Sequence, residues 1–152
     1  MVFIKKKLLI PILVVVVSTV IATPFITNSF AKDISSPEEF VKEYLEIGKD
    51  GDYEKFTDLV IDDRFGTDKQ ELIDGYKQLS NITPALVHYE IKKVKEIKDD
   101  KAIVITRLEF EDGSVEQAPV HLVKQNGEWK VKIELKDAKK DPDYKVIKEP
   151  VR

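Results

Sequence analysis

The sequence contains no cysteine, two histidines, one tryptophan and one methionine in 152 residues. The missing thiol excludes disulfide scaffolds, thiolate zinc sites, iron–sulfur centres and cysteine nucleophiles. Two histidines leave little for an imidazole-rich metal centre, so no metal and no cofactor is expected. The chain also lacks a glycine-rich phosphate loop, a strained nucleophile turn, and a Ser, His and Asp set at catalytic spacing. Basic residues are outnumbered beyond the first thirty-one positions. Lys5, Lys6 and Lys7 are the only charged residues up to position 31, so 22 of the 25 basic residues remain against all 28 acids, a net of −6. A nucleic-acid polyanion needs a basic surface to displace its counterions, so no nucleic-acid partner is expected.

The N-terminus reads as an address. Met1–Lys7 is short and basic, Leu8–Ala22 is an almost unbroken apolar run, and Ser29-Phe30-Ala31 places small residues three before and one before Lys32. This is the layout of an export signal, with cleavage expected after Ala31 and Ala22 as the second candidate. The alternative is a retained anchor, because residues 8–26 approach the roughly 20 apolar residues that cross a bilayer. In both cases the lysines stay inside and the remainder lies beyond the cytoplasmic membrane. The expected localisation is therefore secreted or extracytoplasmic, or anchored to the outer face of that membrane by residues 8–26. Contact with a membrane is expected only through this segment when uncleaved.

Periodicity predicts one α+β domain over residues 32–135, with three N-terminal helices packed on a curved four-stranded antiparallel meander. Ser36 can cap the first helix, Pro37 suits its first position, and Gly48 is expected to stop it. The second helix starts near Asp52 and the third at Thr67, where Gly75 weakens it by about 1 kcal/mol relative to alanine. Ile61–Gly66 reads as a turn or a very short strand. After Pro84 the period changes to two, with a bulge expected near Lys92-Lys93. Asp112-Gly113 and Asn126-Gly127 predict two tight hairpins with positive φ at both central residues. Residues 136–152 read as a charged tail with room for one more strand at Tyr144–Ile147.

The segment Pro37–Val60 (PEEFVKEYLEIGKDGDYEKFTDLV) resembles the opening of the nuclear transport factor 2-like, cystatin-like superfamily. There, a first helix with an aromatic stripe runs through glycine into a second helix that opens on Asp-Tyr. The Glu128-Trp129-Lys130-Val131 strand is also similar, and the likeness spans roughly residues 35–135. It is nearest to the reduced versions found in small bacterial extracytoplasmic domains of unknown function, with little room for a strand pair between helices two and three. The resemblance implies a cone of helices on a sheet. It implies no single function, because the superfamily holds isomerases, dehydratases and cyclases beside members without known activity.

Candidate chemistry is sparse. His88 and His121 fall opposite apolar triplets and are expected on the outer, wetter face; a metal site joining them with Glu90 or Glu109 would need adjacent strands. Asp62-Asp63-Arg64 could shift one carboxylate towards acid–base use, against the plainer reading of a solvated loop in which Asp63 caps a turn and Arg64 neutralises it. Tyr44 and Tyr53 from the helices, with Tyr89 and Trp129 from the sheet, could line an apolar pocket with a few polar groups, the wall that suits a hydrophobic ligand with a polar end. The plainer reading makes them the edge of a filled core. No catalytic residue is assigned. The expected function is an exported, non-enzymatic binding or interaction module at the cell envelope, for a small apolar ligand or an envelope protein. The alternative is a small cone-pocket enzyme of isomerase or hydrolyase type, which needs an acid or histidine pointing inward. An interior of leucine, valine, isoleucine and phenylalanine alone would remove it.

Overall fold

Helix α1 spans Pro37–Asp50 in the computed structural model, which describes residues 36–134 and 138–151. The expected export segment, residues 1–31, lies outside the described residues, as do positions 32–35 and 135 of the expected domain and 136, 137 and 152 of the expected tail. Ser36 caps α1 by accepting the Glu39 N–H at 3.2 Å, and Pro37 occupies the first turn, where a missing N–H costs nothing. The helix does not stop at Gly48. It runs on to Asp50, and the left-handed Gly51 ends it. Gly48 instead gives room to the Phe56 ring of α2, Tyr53–Asp58, which would come within 3.0 Å of an added Cβ. Asp52 caps α2 through the Lys55 N–H. Helix α3 covers Lys69–Ser80, and its cap is Asp68 rather than Thr67, with Asp68 Oδ1 accepting the N–H groups of Gln70 and Glu71.

The sheet departs from a four-stranded antiparallel meander: among the described residues it has six strands and is mixed. Strand β1, Val60–Asp62, interrupts the helices and pairs in parallel with β5, Glu128–Ile133. Strands β2 (Leu86–Lys98), β3 (Lys101–Phe110) and β4 (Val115–Gln125) add antiparallel neighbours in the order β1-β5-β4-β3-β2. The last strand, β6 (Lys145–Lys148), pairs with β4 at Val115–Gln117. A register shift between Ile91 and Lys93 in β2 puts Ile91 and Val94 both towards the core, which strict alternation would forbid.

The two hairpins differ. Asn126 (φ 53) and Gly127 (φ 84) are both left-handed, the primed turn that matches strand twist. At the other hairpin only Gly113 (φ 83) has positive φ, and Asp112 does not. Phe110 N–H donates to Ser114 O and Gly113 N–H to Phe110 O, so the loop holds three residues and closes on a glycine bulge. Asp112 stabilises it by accepting from the N–H and Oγ of Ser114 at 2.9 and 2.6 Å. Replacing Gly127 by valine should cost about 1–2 kcal/mol of backbone strain, the usual range for a forced left-handed residue. Gly113→Val should cost more, because its Cβ would also lie 2.8 Å from Val151 Cγ2. Urea midpoints of the two variants check the order.

The core lies between the helices and one side of the sheet, where Phe40, Val41 and Leu45 of α1 meet Ala102, Val104, Leu122, Trp129 and Val131. Thr106 is fully buried among them and donates its hydroxyl to Ala118 O at 2.8 Å. On the opposite side, Lys95, Ile103 and His121 fall in one row across β2, β3 and β4. The segment 138–144 crosses above this row. Lys95 Nζ pairs with Asp143 at 2.7 Å, His121 Nε2 with Asp141 Oδ2 at 2.7 Å, and Gln117 Nε2 donates to Asp143 O at 2.9 Å. The charged C-terminal segment is therefore a strap tied to the sheet.

A buried ion pair and an open cleft

Strand β1 is short, yet its alternation decides the site. Val60 and Asp62 point to the buried side while Asp63 points out. The Asp62 side chain is 0% exposed. Such a carboxylate must find partners or give up its charge. Arg64, two residues on, grips it in a fork, with Nε at 2.9 Å from Oδ1 and Nη2 at 2.6 Å from Oδ2. The Arg64 N–H adds a bond to Oδ1 at 3.0 Å, and Tyr76 of α3 donates its hydroxyl to Oδ2 at 2.5 Å. Burial alone would raise the Asp62 carboxyl; the hydrogen bonds from Arg64 and Tyr76 outweigh it and hold the group below the usual carboxylate range. Tyr76 moves the opposite way, pushed up by burial and by the anion it serves. Aromatic rings enclose the pair: Phe56 and Phe65 meet Tyr76 edge-on at 4.8 and 5.5 Å, and the Arg64 guanidinium lies 5.0 Å from the Phe65 ring centre.

The plainer sequence reading, a solvated loop with Asp63 capping, is thus corrected. Arg64 serves the buried Asp62, while Asp63 is exposed with Lys132 Nζ at 3.8 Å. The signal was the Val-x-Asp alternation with arginine two positions later. What no single-sequence pattern announced was Tyr76, fourteen residues away.

A cleft of about 670 Å³ opens beside the core. It follows β4 and touches both of its sides: Ala118, Val120 and Leu122 on the helix-facing side, with Pro119, His121 and Val123 on the other. Val131 and Ile133 of β5 add apolar wall, and Asp141 and Tyr144 of the strap border the outer end. Of the four residues expected in a pocket, Tyr44 alone lines this cleft. Its hydroxyl makes no hydrogen bond among the described residues. Burial pushes its pKa up to about 12, with Arg64 opposing and Asp62 adding to the shift, so it stays protonated, a hydrogen-bond donor, across the physiological range. Tyr53 packs against the core from the start of α2, and Tyr89 packs against it from β2, where burial first and then the neighbouring Glu46 push its pKa up to about 12. Trp129 is 7% exposed within the core, its ring 5.0 Å from Lys124 Nζ and its buried indole N–H without a partner among the described residues. His88 and His121 are both exposed, and among the described residues no three acids or histidines gather as a metal site.

Comparison with known proteins adds a family. No curated protein matches the chain significantly. Among solved structures, a Campylobacter jejuni protein named as an NTF2-like transpeptidase is 16% identical, with a TM-score of 0.47, and the match covers 66% of this chain and 100% of that one. A ketosteroid isomerase-like protein from Erwinia carotovora atroseptica is 21% identical, with a TM-score of 0.49 over 67% of this chain and 92% of that one. The family profile described as "Domain of unknown function (DUF4878)" matches residues 28–132, more than half of the sequence, and the chain belongs to that family.

Proposed function

We propose that the chain is a non-enzymatic binding module of the cell envelope, exported by its first 31 residues, that holds a small apolar ligand in the β4 cleft. The observation that supports this reading is the division of labour between two polar groups. Asp62, the buried acid nearest to a catalytic candidate, has both oxygens engaged and its proton removed, so it has no free lone pair aimed at a substrate. Tyr44 is the reverse: a hydroxyl with no hydrogen bond among the described residues, protonated at neutral pH, at the cleft's wall. Such a group can donate a hydrogen bond to a ligand's oxygen.

The interior is not purely aliphatic, so the enzyme alternative keeps one foothold. His121, held by Asp141 at 2.7 Å, borders the same cleft, and a base steadied by an acid is half of a proton-transfer pair. Thermal-shift screening against lipids, quinones and steroids separates the readings. A binding module should gain about 2.7 kcal/mol of stability at a hundred times the dissociation constant and leave its ligand chemically unchanged. Turnover that His121→Gln abolishes would establish the enzyme instead.

A further inference from the structure

Strand β4 leaves two backbone groups open inside the cleft. Lys124 N–H donates to Asp100 O at 2.9 Å, so the backbone of Lys124 bonds on the side of β3. The β3–β4 register is unbroken from Lys101↔Val123 to Glu109↔Val115, and successive residues of an antiparallel strand alternate in the edge to which they bond. Leu122, Val120 and Ala118 therefore also bond towards β3, while His121 and Pro119 turn their backbone to the opposite edge. On that edge β6 ends at Gln117↔Lys145 and β5 begins at Leu122↔Val131. His121 N–H and Pro119 C=O consequently have no strand partner among the described residues. Both residues line the cleft, with Val120 between them. A backbone donor and acceptor without a protein partner turn to water or to a ligand.

We infer that the ligand of this cleft is an N-acyl amino acid, bound through this donor and acceptor as an added strand residue would be. In a parallel pairing, one residue donates its N–H to the carbonyl just before its neighbour and accepts, with its own C=O, from the N–H just after it. Pro119 C=O and His121 N–H stand in that relation about Val120. A ligand that satisfies both needs an N–H and a carboxyl oxygen separated by a single carbon. An N-acyl amino acid has them, the amide N–H for Pro119 and the carboxylate for His121. A fatty acid has the acceptor without the donor, and a sterol or quinone has no such pair. Main-chain bonding of this kind supplies affinity and leaves specificity to the surrounding walls. Those walls are apolar on both sides of β4, with Ala118, Val120 and Leu122 on one and Ile103 and Val123 on the other, and they take the acyl chain. Of the cleft's charged groups, Lys132 follows the Leu122↔Val131 rung and so stands nearest His121 N–H, where a carboxylate would lie, while Asp141 is already paired with the His121 ring. The inference rests on the binding reading above and names the ligand's polar end.

Two probes with the same chain and the same carboxylate test it: N-dodecanoylglycine and O-dodecanoylglycolate, in which an ester oxygen replaces the amide N–H. Each is titrated below its micelle threshold into the protein purified as cells produce it. N-dodecanoylglycine should bind about tenfold more tightly, because the ester loses the bond to Pro119 and sets oxygen against oxygen. At saturation it should slow amide exchange at His121 about tenfold more than at Val120, whose N–H bonds towards β3. Equal or tighter binding of the ester would overturn the inference and leave the binding module standing. So would exchange at His121 slowed no more than at Val120 in the saturated complex. If folded protein binds neither probe, the inference falls; if the wider screen also finds no ligand, the module falls with it.

Discussion

Asp62→Ala should lower stability by about 3 kcal/mol. Breaking a buried ion pair by removing one partner typically costs about 3–5 kcal/mol, because the other charge stays desolvated. The lower end applies here, since the Arg64 side chain is 31% exposed and can turn part of its charge to water. Tyr76 also loses the acceptor of its 2.5 Å hydrogen bond. Tyr76→Phe removes one bond and leaves the fork intact, so about 1–2 kcal/mol is expected. The pH dependence gives an independent check. The folded pKa of Asp62 is depressed, so its contribution is fully present above the unfolded value of about 3.9 and is lost as pH falls through the folded value below it. Asp52, Asp112 and Asp141 are depressed too, so the comparison must be differential. Between pH 6 and pH 3 the wild-type urea midpoint should fall more steeply than that of Asp62→Asn. Parallel slopes would show that Asp62 is not held ionised by the fold.

Gly75→Ala should destabilise the domain by about 2 kcal/mol, against the expectation from helix propensity. In an exposed helix the change would gain about 1 kcal/mol. Here an added Cβ would lie 2.5, 2.7 and 2.9 Å from three ring atoms of Phe65. The ring cannot yield easily, since Tyr76 meets it edge-on and Arg64 lies 5.0 Å from its centre. Overpacking of this kind typically costs about 1–3 kcal/mol, enough to reverse the helical gain. The double variant Gly75→Ala, Phe65→Ala should be more stable than Phe65→Ala alone, because the clash is gone and the propensity remains. A urea-midpoint cycle over the four proteins measures this coupling. Simple additivity would mean that Gly75 is only a weak point in α3.

The legible parts of the fold were those whose causes are local. Ser36-Pro37 and the aromatic spacing of α1 act within one element. The Asn126-Gly127 hairpin needs only its own two residues. Even so, α1 outran Gly48, because a glycine inside a helix can serve a neighbour's ring rather than a turn. Asp112-Gly113 has the same dipeptide chemistry as a primed turn, but Asp112 found Ser114 and a three-residue loop instead. Strand β1 has three residues and a partner seventy-one positions away, so no local pattern could specify its parallel pairing. The site depended on that pairing. Tyr44 was recognisable as a candidate because it sits on the apolar stripe of a clear helix. The Asp62–Tyr76 bond and the cleft at Pro119 required the register of distant strands.

The parallel pairing of Val60–Asp62 with Val131–Ile133 also sets when the chain can fold. Closing so long a loop is entropically costly and slow compared with forming helices or hairpins. No N-terminal fragment can complete the sheet, because β5 is needed to hold β1, and the strap that ties Lys95 and His121 comes later still. During synthesis the emerging polypeptide therefore holds only isolated helices and the β2–β4 hairpins, with Asp62 and Arg64 still in water. The pairing of Asp62 with Arg64 out of water therefore waits until β5 has joined β1.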